Sequence, residues 1–124
     1  MEFSKSWRAS KSPRKQRKYL YNIPLHLARK LLSAHLVKEL RQKYKKRNIS
    51  IRKGDVVKIM VGQFKGKTGK VDNVDIKHRI VFVENVHTLK RDGSKKPYPI
   101  NTSNIMITEL NLEDKLRLKA LGKK

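Results

Sequence analysis

Hydrophobic positions along the chain fall into three regimes. Leu25, Ala28, Leu32, Leu36 and Leu40 recur at helical spacing, with Leu31 and Val37 flanking them. One apolar stripe of this kind predicts a basic amphipathic helical extension over residues 23–48. Pro24 suits a first helical turn, and Ser33 could cap a second helix, so the segment reads as one helix or as two with a bend. From Ile49 the period shortens to two. Ile49–Ile51, Asp55–Val61, Lys70–Val74, Arg79–Val83 and Ile105–Ile107 read as strands. Gly62, Gly66 and Gly69 punctuate one turn, Asp75 to His78 form another, and Asp92-Gly93-Ser94 marks a hairpin tip. Several short strands with glycine-bearing turns predict a small barrel over residues 49–110, since closure removes exposed edges. Residues 111–124 read as a short C-terminal helix and tail. Asn111 is its expected cap, Glu113 and Asp114 suit the first turn, and Gly122 can end it. Residues 1–22 hold neither period, and an extended arm is expected there.

Charge changes the picture more than any other property. The chain has 32 Lys and Arg against 10 Asp and Glu in 124 residues, a formal net charge of +22. A compact body with that excess repels itself unless a polyanion neutralises it, which points to nucleic acid. Residues 1–48 alone carry 15 basic and 2 acidic residues, so the binding arm is sought there. Trp7, Tyr19 and Tyr21 interleave with its cations. Basic groups pair phosphates and aromatics stack on unpaired bases, and the two together distinguish an RNA-binding tail from a merely solvated terminus. The basic side of residues 23–48 admits a solvated helix face as its alternative, and a membrane-surface helix as a weaker one.

Within the barrel, Arg52 to Val71 combines two strands with a glycine-rich turn. Its glycines permit positive φ or close backbone approach. Gln63, Phe64, Lys65 and Lys67 would project from the turn, a composition suited to backbone and stacking contacts with RNA. Gly66-Lys67-Thr68 carries a phosphate-loop tripeptide, but the upstream glycine spacing is wrong and strands flank it.

This segment looks like the KOW motif, an RNA- and protein-binding element of SH3-like barrels. The flanks narrow the choice. Ser12 to Lys18, Leu20 to His26 and Ser33 to Arg41 resemble the N-terminal extension of the universal large-subunit ribosomal protein family number twenty-four, called number twenty-six in eukaryotes. Thr88 to Gly93 and Pro99 to Ile105 are similar to the same family, in its archaeal and eukaryotic form. The chain departs from it mildly: Asn101-Thr102 stands where many members carry His-Pro, and Val37 where many carry Ser. The resemblance implies a mainly β fold, an SH3-like barrel with an N-terminal helical extension. It also implies binding to the first domain of large-subunit ribosomal RNA, a place near the polypeptide exit tunnel among neighbouring ribosomal proteins, and an early role in subunit assembly. The expected RNA contacts in the arm are Trp7, Arg8, Arg14, Lys15, Arg17, Lys18, Tyr21 and Asn22. His26, Arg29, Lys30, His35 and Arg41 follow in the helical extension. In the barrel they are Gln63, Phe64, Lys65 and Lys67, with Lys90, Arg91, Lys95 and Lys96 around the hairpin.

Other chemistry is not expected. There are no cysteines, which removes disulfides, thiolate zinc sites and thiol nucleophiles. His26, His35, His78 and His87 have no acidic cluster beside them, so no metal is expected. Asp72 and Asp75 lack a partner that would tune an acid–base pair, and no Ser/His/Asp arrangement is visible. No enzyme, cofactor or small-molecule substrate is therefore expected. Met1 to Lys18 has no apolar core of a signal peptide, and no run approaches a membrane span. A cytoplasmic, ribosome-bound protein is the reading that follows. Two others compete. A transcription elongation accessory binding polymerase or nascent RNA would explain the barrel but not the arm. A DNA-compacting protein would explain the charge but not the glycine-rich turn.

Overall fold

The computed structural model describes residues 3–122; residues 1, 2, 123 and 124, the outer ends of the expected arm and tail, lie outside the described residues. The chain opens with a 3₁₀ turn, Lys5–Ala9, then helix α1, Pro13–Asn22, and α2, Leu25–Leu31. Strand β1, Ser33–Leu36, precedes α3, Lys38–Tyr44. The β region follows: β2 (Asn48–Ser50), β3 (Val56–Ile59), β4 (Thr68–Asp75), β5 (Ile80–Val83), β6 (His87–Leu89), β7 (Lys95–Pro97), β8 (Ile100–Asn101) and β9 (Ile105–Glu109). Helix α4, Lys115–Ala120, ends the described chain.

Seven strands form one mixed sheet in the order β2-β1-β9-β3-β4-β5-β8, and β6 with β7 make a separate hairpin. Among the described strands only β1 and β9 pair in parallel, His35 opposite Met106 and Leu36 opposite Ile107. Alternation places one set of side chains inward: Ala34 and Leu36, Val57 and Ile59, Val81 and Val83, Ile105 and Ile107, all buried. With Val71, Ile100 and Leu32 they join a single core. Strands from across the whole order contribute to that one cluster, as a rolled, barrel-like sheet requires. Val71 lies opposite Val83 while Asn73 lies opposite Phe82, so Asp72 is a bulge that turns β4 between its neighbours.

Gly62 and Gly66 lie in the β3–β4 turn, whereas Gly69, expected in the same turn, lies in β4 opposite Val57. Gly62 and Gly66 have φ of +101° and +88°, a region L side chains rarely adopt. At Gly69 the constraint is space, since a Cβ would lie 2.8 Å from Val83 Cγ1 and 2.9 Å from the Glu84 carbonyl oxygen.

The structure corrects readings in the N-terminal half and in the C-terminal tail. Residues 13–22 are helical, not extended. Ser12 precedes it and Pro13 occupies its first turn, where a missing N–H costs nothing. Residues 23–48 hold two short helices, α2 and α3, but strand β1 rather than a bend separates them. Ser33 starts that strand and caps no helix; His35, read as helical, is its central residue and pairs with Asn48. At the C-terminus the cap is Asp114, whose Oδ1 accepts from the Leu116 N–H at 2.9 Å. Asn111 instead accepts from the Glu113 N–H, within the approach loop.

A buried ion pair fastens α4 to the barrel. Arg117 is 3% exposed and Asp55 fully buried. Arg117 Nη1 and Nη2 donate to Asp55 Oδ1 and Oδ2 at 2.5 and 2.7 Å. The same carboxylate accepts the backbone N–H groups of Arg52 and Asn111, each at 2.9 Å. Removing one partner strands a buried charge, whereas replacing both by apolar groups does not. Arg117→Met is expected to cost about 3–5 kcal/mol in urea unfolding, with part regained in the double variant Asp55→Leu/Arg117→Met. A single-variant loss below about 1 kcal/mol would contradict this role for the pair.

Candidate nucleic-acid interface

The N-terminal unit is preassembled. Gln16, half-buried on α1, donates through Nε2 to the carbonyls of Trp7, Arg8 and Ser10 at 3.3, 2.9 and 2.7 Å. These bonds hold the 3₁₀ turn against α1. Lys18 Nζ lies 5.2 Å from the centroid of the half-buried Trp7 ring. Tyr19 is buried and its ring centroid is 5.3 Å from that of Phe3. Arg79 Nη1 donates to the Leu20 carbonyl at 3.2 Å, joining the end of α1 to the β4–β5 turn.

Helical spacing then brings five expected contact residues to one groove, lined by Arg14, Arg17, Lys18, Tyr21 and Asn22. Tyr21 is 87% exposed, an aromatic face among cations. Arg8 and Lys15 are exposed as well. Asn22 donates from Nδ2 to the Lys18 carbonyl at 2.9 Å. His26, Arg29 and Lys30 are exposed on α2.

Two expected contacts are committed internally. Arg41 is half-buried, and its Nε donates to the Leu36 carbonyl at 2.7 Å, across the start of α3. His35 is half-buried in β1, and desolvation, with Arg41 and Arg47 beside it, lowers its pKa from the usual value.

The barrel end carries a second set. Gln63, Lys65 and Lys67 are exposed on the β3–β4 turn. Phe64 packs edge-on against Tyr98, centroids 4.9 Å apart, with Lys67 Nζ 5.0 Å from the Phe64 ring. That pairing links the glycine-rich turn to the segment after β7, a partner the sequence reading missed because 34 positions separate Phe64 from Tyr98. Lys90, Arg91, Lys95 and Lys96 are exposed on the β6–β7 hairpin. Its tip is fixed by Asp92, whose Oδ1 accepts from the hydroxyl and N–H of Ser94 at 2.6 and 2.9 Å. Those bonds hold the Asp92 carboxyl below the usual carboxylate range.

Few of these cations have an acidic partner. The ion pairs among the described residues are Arg52 with Asp114, His78 with Asp75 and Arg117 with Asp55. None uses an expected contact residue, so the groove and both barrel loops keep their charge for an external anion. No group of three or more His, Asp or Glu side chains among the described residues could hold a metal. No helix described is long and apolar enough to cross a membrane.

Two outcomes follow for the free protein. Gln16→Ala is expected to unlatch the 3₁₀ turn, raising amide hydrogen exchange about tenfold in residues 5–10 while barrel protection stays unchanged. For His35 the folded pKa lies below the unfolded one, so the unfolded chain binds the extra proton. Its contribution to stability is intact above about pH 6.5 and lost as pH falls below it. His35→Gln is expected to flatten that part of the urea-midpoint profile between pH 7.5 and 5; an unchanged slope would remove His35 as its source.

The model of the ribosomal proteins described as eukaryotic L26 and archaeal L24P matches residues 10–124. The large ribosomal subunit protein uL24 of Methanosphaera stadtmanae is 45% identical over 115 residues, covering 93% of this chain and 98% of that protein.

Proposed function

The chain belongs to the ribosomal protein family of eukaryotic L26 and archaeal L24P, and from that premise we propose that its α1 groove and barrel loops bind large-subunit ribosomal RNA. Its role is that of a structural protein of the large ribosomal subunit, in a family of structural rather than catalytic proteins. The observation that carries the RNA reading is the α1 groove, where three cations, an exposed tyrosine and an asparagine share one face and no carboxylate lines the site. Arg14, Arg17 and Lys18 neutralise phosphates, and Tyr21 offers a stacking surface for an unpaired base. The exposed cations on α2, on the β3–β4 turn and on the β6–β7 hairpin extend the contact. A multi-pronged interface of this kind suits folded RNA, which offers phosphates in several directions at once.

The finer placement rests on the family resemblance: the first domain of the large-subunit RNA, the neighbourhood of the exit tunnel, neighbouring ribosomal proteins as partners, an early part in assembly, and the cytoplasm as compartment. The elongation-accessory reading leaves the α1 groove without a purpose, and a DNA-compacting role leaves the Phe64–Tyr98 turn without one.

Phosphate contacts have a salt signature. For the triple variant Arg14→Ala/Arg17→Ala/Lys18→Ala, log K for a large-subunit RNA fragment is expected to fall less steeply with log salt, the slope shrinking by about 2–3. Affinity at low salt drops with it. An unchanged slope would exclude the groove from the RNA contact.

A further inference from the structure

A second concavity shares only Arg29 with the expected contacts. It is a cleft of about 450 Å³ between the end of α2, the β2–β3 segment, β4 and α4. Leu32, Ile49, Ile51 and Val74 give it an apolar floor, and Arg29, Arg52 and Lys53 stand around it. No carboxylate lines it. Arg52 shares its charge with Asp114, while Arg29 and Lys53 have no ion-pair partner among the described residues. Arg117, which lines the cleft, is nearly fully buried, and its Nε is the described buried side-chain atom with no hydrogen-bond partner. Both guanidinium Nη groups are saturated by Asp55, Asn111 and Ser50.

We infer that this cleft receives one unstacked nucleotide of an RNA, its base on the apolar floor and its phosphate against Arg29 and Lys53. Three features choose that occupant. The volume falls in the range of small-ligand sites and exceeds what one apolar side chain fills. The rim is cationic, which suits a phosphate and penalises a basic peptide. The Asn73 amide supplies a donor and an acceptor at the wall for a base edge, and a heterocycle offers both an apolar face and polar edge atoms. Arg52 and Lys53 are thereby RNA-contact residues in addition to those of the α1 groove. The inference rests on the RNA reading above, and the test separates the two.

The test is an NMR titration of ¹⁵N-labelled full-length protein with each nucleoside 5′-monophosphate and, separately, with inorganic phosphate. Saturable shifts at Ile51, Asn73 and Ala120 with at least one nucleotide are expected, with phosphate moving only the rim. Ala120→Trp, at an exposed position of the cleft wall, is expected to abolish those shifts and to weaken binding of a large-subunit RNA fragment about tenfold. Lys53→Glu, exposed on the rim, serves as the second variant and is expected to weaken both. The proposal is overturned by absent nucleotide shifts, by phosphate reproducing the whole pattern, or by an apolar peptide saturating the cleft where nucleotides do not. It also falls if both variants bind the RNA fragment as the parent does while the α1 triple variant still loses affinity; the ribosomal reading would then stand alone. Failure of the parent protein to bind that fragment at all would instead remove the RNA reading.

Discussion

The carboxylate of Asp55 is the point on which the barrel and its C-terminal helix depend. It is fully buried, and a buried charge survives only when its lone pairs are filled. Four donors fill them: two from Arg117 and the backbone N–H groups of Arg52 and Asn111. Those donors come from α4, from the β2–β3 loop and from the segment after β9. One side chain therefore fixes three stretches of chain that share little apolar contact. The ion pair of Arg52 with Asp114 and the bond from Lys46 Nζ to the Ala120 carbonyl reinforce the same helix from its two ends. Arg117 is thus held as a rigid wall of the cleft, with its Nε placed by the other two nitrogens.

The acidic residues explain why so much positive potential stays outside. Only 10 carboxylates are available against 32 basic residues, and several are spent on local structure. Asp55 is buried, Asp114 caps α4, Asp92 shapes the hairpin tip, and Asp75 accepts from His78 Nδ1 and from the His78 N–H. Asp92 and Asp75 settle turns near their own positions, while Asp55 and Asp114 tie α4 and the approach to it to the β2–β3 loop. None reaches α1. The groove cations are consequently spaced by the helix alone, at positions 14, 17 and 18, which is a fixed pattern offered to a flexible polyanion.

The barrel was legible because its signals are local. Alternation in β3, β5 and β9 and the glycines of one turn required no knowledge of distant contacts, and the expected strands coincide with observed ones to within a few residues. Helix α1 was hidden because it buries a single residue, Tyr19; with four cations, a proline, a glutamine and an asparagine among its ten residues, no apolar stripe can show. The stripe from Leu25 to Leu40 misled for the opposite reason. Ala34 and Leu36 are buried by the alternation of β1, yet Leu36 also falls on a helical repeat with Leu32 and Leu40. On α4 the usual pattern is inverted: Arg117 is buried while Leu116 is 74% exposed. That inversion follows from Asp55, 62 positions away, and no local rule reveals it. The candidate contacts were legible as a list of cations and aromatics. Which of them share a groove, and which, like Arg41, are absorbed by the backbone, depended on helix ends that sequence alone placed wrongly.

The position of β9 has a consequence for the order of events during synthesis. This strand lies between β1 and β3 in the sheet, with its parallel partner near the start of the chain. It also leaves the ribosome after every other described strand. The halves of the sheet therefore have no common seam until residue 109 has emerged, and folding waits on a contact of large sequence separation. Helix α1 and its 3₁₀ turn need nothing beyond residue 22 for their internal bonds. A nascent chain thus displays its cationic helix well before it owns a barrel, and the half-made sheet, with β3 lacking a neighbour, is the form most exposed to mispairing.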